Sequence, residues 1–67
     1  MTLTAVLIPD PDGGYVAQNP ETGTTTQGNT VDEALANLKV ATELYLEEFP
    51  LRTPAPTLMT TFEVAHA

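Results

Sequence analysis

Apolar and polar residues change their period near residue 30. Before that point they alternate; over the next twenty residues they recur every three or four positions, and near the end of the chain they alternate again. In residues 2–8, Leu3, Ala5 and Leu7 fall on one side and Thr4, Val6 and Ile8 on the other. Alternation of this kind predicts a strand, and Pro9 ends it. Asp10-Pro11-Asp12-Gly13-Gly14 supplies fixed φ, side-chain turn bonds and permission for positive φ. A second strand is predicted at 15–18, and Asn19-Pro20-Glu21-Thr22-Gly23 forms the next turn. A short third strand follows at 24–27 and stops at Gly28-Asn29. Three short strands joined by tight turns make an antiparallel meander.

Val31, Ala34, Leu35, Leu38, Ala41 or Thr42, Tyr45 and Phe49 then recur at helical spacing. Thr30 with Glu33 three residues on is a capping box. Asp32 and Glu33 complement the helix N-terminal dipole, and Pro50 closes the helix, which is predicted over about 30–48. Residues 51–56 hold two prolines and read as a rigid connector. Residues 57–65 read as a last strand, with Leu58, Thr60, Phe62 and Val64 on one side and Met59, Thr61, Glu63 and Ala65 on the other. The expected architecture is one α+β domain over 1–67, a two-layer β-β-β-α-β arrangement with one helix covering the sheet. The last strand either completes this sheet or reaches a neighbouring subunit.

Composition narrows the function. The chain is 42% hydrophobic and 16% charged, which is globular rather than disordered. At 67 residues it can bury only a thin core. Such chains lean on disulfides, a metal or oligomerisation. Cysteine is absent, so self-association into a dimer or larger, or a permanent partner, is expected. Two basic residues against nine acidic ones give a net charge of −7. That balance argues against direct nucleic-acid binding and favours a basic protein partner. No apolar run is long enough to span a membrane, and no signal peptide is recognisable. The expected compartment is the cytoplasm.

Catalytic equipment is sparse. The chain has no Ser and no Cys, which removes the usual nucleophile–His pairs. His66, the single imidazole, stands next to the last residue, a poor seat for a general base. Asp10, Asp12 and Glu21 have the spacing of calcium-loop positions 1, 3 and 12, but Tyr15 occupies the position that needs Gly. Thr2 lacks a built site around a terminal amine, and the glycines form no phosphate loop. No enzyme, cofactor or metal site is expected. One local rule is broken: Glu43, Glu47 and Glu48 crowd the helix C-terminal end, where cations are favoured. Together with Tyr45 they are the candidate partner-binding residues; Leu44 and Leu46, which flank Tyr45, and Met59 are candidates for subunit contact.

Residues 15–46 also carry a resemblance. Tyr15-Val16-Ala17-Gln18-Asn19-Pro20-Glu21-Thr22-Gly23 leads to Thr26-Gln27-Gly28-Asn29-Thr30-Val31-Asp32-Glu33-Ala34-Leu35-Ala36-Asn37-Leu38. This resembles the HicB family of bacterial antitoxins, with Pro20, Gly23, Gly28, Thr30, Glu33, Ala34 and Asn37 at matching positions. Thr24 stands where that family often has Cys, and Asn29 where it usually has Asp. The resemblance implies a fold like a truncated ribonuclease H. It also implies a non-catalytic role, binding and neutralising a small basic RNA-cleaving toxin of the HicA type. Many such antitoxins append a C-terminal DNA-binding domain. These 67 residues leave no room for one, so autoregulation by this chain alone is not expected. The alternative reading is an orphan homo-oligomeric module of the same fold without a toxin.

Overall fold

The computed structural model describes residues 1–51 and 57–65. Its elements are β1 (Val6–Pro9), β2 (Tyr15–Asn19), β3 (Thr24–Gly28) and α1 (Val31–Glu48), in that order. The strands form an antiparallel sheet in the order β1-β2-β3. Ala17 at the centre of β2 faces Leu7 on one side and Thr26 on the other. The helix packs over β3 and β2. This is the expected α+β class in two layers.

Turn chemistry sets the register. Asp10 accepts from the Asp12 N–H through its side chain at 2.8 Å and from the Gly13 N–H through its carbonyl at 3.0 Å. Gly13 and Gly14 then take φ of 107° and 79°, a region that L side chains rarely adopt. On the next turn the Gly23 N–H donates to the Asn19 carbonyl at 2.8 Å.

The inner face of the sheet is small. Only Ala17, Ala34 and Leu38 are buried hydrophobics among the described residues, with Ala5, Leu7 and Tyr15 packed around them. Small residues let the two layers approach closely. Gly28 is the extreme case: a Cβ there would lie 2.5 Å from the Ala34 nitrogen. At the helix start the Thr30 hydroxyl accepts from the Glu33 N–H at 3.1 Å. The Glu33 carboxylate accepts in return from the Asn29 N–H at 3.1 Å. The capping box therefore forms, with its return bond one residue before the cap. Asn37 donates to the Gln27 carbonyl at 2.8 Å and ties the helix to β3.

Two expectations need correction. The first strand begins at Val6 rather than residue 2. Its ladder stops because the next position on β2 is Asn19, whose side chain donates to the Thr4 carbonyl at 2.8 Å. A side-chain clasp replaces the strand pairing there. The last strand, expected at 57–65, does not form: these residues carry no regular secondary structure. A strand exists only by its ladder, and no strand of this chain pairs with them. Most of the connector, with Arg52, and His66 lie outside the described residues.

Candidate functional site

Three features stand out: a polar clasp, an apolar groove and the outer face of α1.

The clasp is built on Asn19, which is 2% exposed. Its amide nitrogen donates to the Thr4 carbonyl at 2.8 Å and to a Glu21 oxygen at 2.7 Å. Its amide oxygen accepts from the Thr22 N–H at 2.9 Å and the Thr22 hydroxyl at 2.6 Å. Every polar valence of the amide is used, which is what burial demands. Glu21 also accepts from the Thr4 N–H at 2.8 Å and the Thr4 hydroxyl at 2.7 Å. The Thr57 hydroxyl, then both Thr4 donors, then the Asn19 amide, hold the Glu21 carboxyl down to about 2 from an ordinary 4.5. Partial desolvation opposes them. One carboxylate thus fixes the N-terminal stretch, the β2–β3 turn and the start of residues 57–65. Asp10 and Asp12 sit in the turn at the opposite end of β2, so the calcium-loop spacing brings no ligands together. Among the described residues, no group of three or more His, Cys, Asp or Glu could hold a metal ion.

Next to the clasp lies a groove of about 400 Å³ between residues 1–5 and α1. Leu3 and Ala5 form one wall, Leu35, Leu38 and Leu46 the other. Thr42 lines it too, and its buried hydroxyl has no hydrogen-bond partner. Lys39 and Glu43 also line the groove.

On the outer side of α1, Val40 and Leu44 are each 58% exposed. Glu43, Glu47 and Glu48 surround them at helical spacings of three and four and are exposed as well. The last turn carries no basic residue. The three glutamates therefore share a face with an apolar centre. Tyr45 does not join its centre; it lies on the flank, toward Phe49, with ring centroids 5.1 Å apart and planes tilted by 39°. Leu46 turns into the groove wall. Sequence pattern pointed to the glutamates, but missed the Asn19–Glu21 clasp and the groove. An Asn-Pro-Glu turn carries no local sign that its carboxylate reaches Thr4, 17 residues away and ahead of β1.

Within the described residues no helix is long and apolar enough to cross a membrane. No known family profile and no solved structure matches the chain. Two curated proteins are similar to it. A UPF0150 protein of Synechocystis sp. is 47% identical over 47 residues, covering 69% of this chain and 65% of the relative. A UPF0150 protein of Thermoplasma acidophilum is 44% identical over 48 residues, covering 70% of each chain. The matched stretch thus spans just under two thirds of the first relative and just over two thirds of the second.

Proposed function

The chain belongs to the UPF0150 family, and from there we propose that it is a non-catalytic, HicB-like antitoxin-type protein. It binds a small, basic, RNA-cleaving toxin in the cytoplasm and covers that toxin's RNA-binding face. The observation that carries this reading is the outer face of α1. Val40 and Leu44 offer an apolar centre, and Glu43, Glu47 and Glu48 ring it with negative charge. A toxin that grips RNA must present cations around its site. An acidic ring is complementary to them and speeds encounter. The net charge of −7 extends that attraction over the whole molecule.

The test is growth rescue. A short, basic reading frame beside the gene is expressed with and without this chain. Rescue by the natural chain is expected, with loss of rescue for the Glu43→Lys, Glu47→Lys, Glu48→Lys triple variant. Affinity of the triple variant should fall by about tenfold or more. A toxic neighbour that the natural chain fails to silence would sink this reading. The orphan oligomeric module is the second reading. It draws support from the apolar side chains exposed along residues 57–65.

A further inference from the structure

We propose that residues 57–65 are an exchange arm. In a homodimer, the arm of each copy adds as a strand along the free edge of β1 of the other. Its apolar side fills that copy's groove. This is independent of any toxin, and the groove shares only Glu43 with the glutamate face.

The arm has the pattern of a half-buried strand. Leu58, Thr60, Phe62 and Val64 alternate with Met59, Thr61 and Glu63. Yet Leu58 is 92% exposed, Phe62 85% and Val64 68%. The described residues cover these side chains little. The molecule is also extended for its length. The radius of gyration is 13.6 Å, against about 11 Å for a compact chain of this length. Thr57, the arm's first residue, is partly buried, whereas residues 58–65 are exposed.

The receiving side is equally incomplete. Among the described residues, β1 has β2 on one edge and nothing on the other. The helix lies over β3 and β2, which leaves the groove open beside β1. Leu3, Leu35 and Leu46 wait there for apolar partners, and the buried Thr42 hydroxyl for a polar one.

A second copy is the occupant that fits. The arm carries one charge, Glu63, and the groove offers Lys39, which stands beside Glu43, to meet it. A basic toxin gains nothing from an apolar, faintly acidic arm. Each copy owns one arm and one groove, so a two-fold exchange fills both and closes. It also enlarges a core of three buried hydrophobics, the need that this chain's size imposes.

The purified full chain is examined by light scattering across a concentration series. Amide hydrogen exchange is followed in residues 58–64. A dimer at micromolar concentration is expected, with arm amides protected in step with dimer mass. Phe62→Asp with Val64→Asp should weaken the dimer by about tenfold or more. Helical circular dichroism should be unchanged, since those side chains bury nothing within one chain. A monomer at every concentration overturns the exchange. So does a dimer indifferent to the arm variants, or arm protection already complete in the dilute monomer. None of these outcomes bears on growth rescue, and failed rescue leaves the exchange standing.

Discussion

Glu21 illustrates how far one side chain can reach. Its carboxylate accepts from Asn19, its near neighbour, and from Thr4, 17 residues away, and Thr57 also favours its charge. All of them favour the charged form, so the folded chain holds this group near 2 and the unfolded chain near 4.5. As pH drops from 4.5 toward 2, the unfolded chain takes up a proton that the folded chain refuses. Stability contributed by Glu21 is therefore fully present above 4.5 and is lost through that window. Glu21→Gln should melt lower at neutral pH and show a shallower decline between pH 4.5 and 2. Thermal melts of both chains across that range check it; parallel curves would mean the clasp does not discriminate protonation states. None of this was legible in the sequence. The residues were readable as a turn, but the clasp depends on the tertiary approach of residue 4.

At the level of elements, the helix was legible because its signals are local. Thr30, Glu33 and Pro50 mark its ends, and Leu38 and Ala34 mark its buried side. The meander was legible for the same reason, through its Gly and Pro turns. The final strand was legible only as a tendency. Alternation in 57–65 specifies a chain ready to pair, not the edge it pairs with. Contact between layers was equally hidden. Gly28 reads as a strand terminator, whereas its hydrogen in place of a methyl admits the helix start. A Cβ there would stand 2.5 Å from the Ala34 nitrogen and 2.9 Å from the Ala34 Cα and the Glu33 carbonyl carbon. These are backbone atoms in a capped first turn, so they cannot swing aside. Gly28→Ala should cost about 1–3 kcal/mol through overpacking. Denaturant melts measure it. A cost within error would mean that helix and sheet slide apart freely at this point.

For the whole molecule the decisive quantity is charge against size. The body measures 42 × 27 × 14 Å and carries a net charge of −7. At about 10 mM salt the Debye length is about 30 Å, so nearly every carboxylate feels every other. At about 100 mM it is about 10 Å, and only near neighbours interact. Adding salt across that range therefore relieves self-repulsion and should raise the melting temperature. Two cations cannot offset nine anions by local pairing. The same screening would weaken long-range attraction to the proposed basic toxin, so capture should slow as salt rises. Stability and association rate are thus expected to move in opposite directions in one titration. Melts and stopped-flow mixing at matched salt separate the outcomes. A melting temperature that falls with salt would mean the acidic groups are held by specific pairs rather than crowded together. An association rate indifferent to salt would take the glutamate face out of toxin recognition.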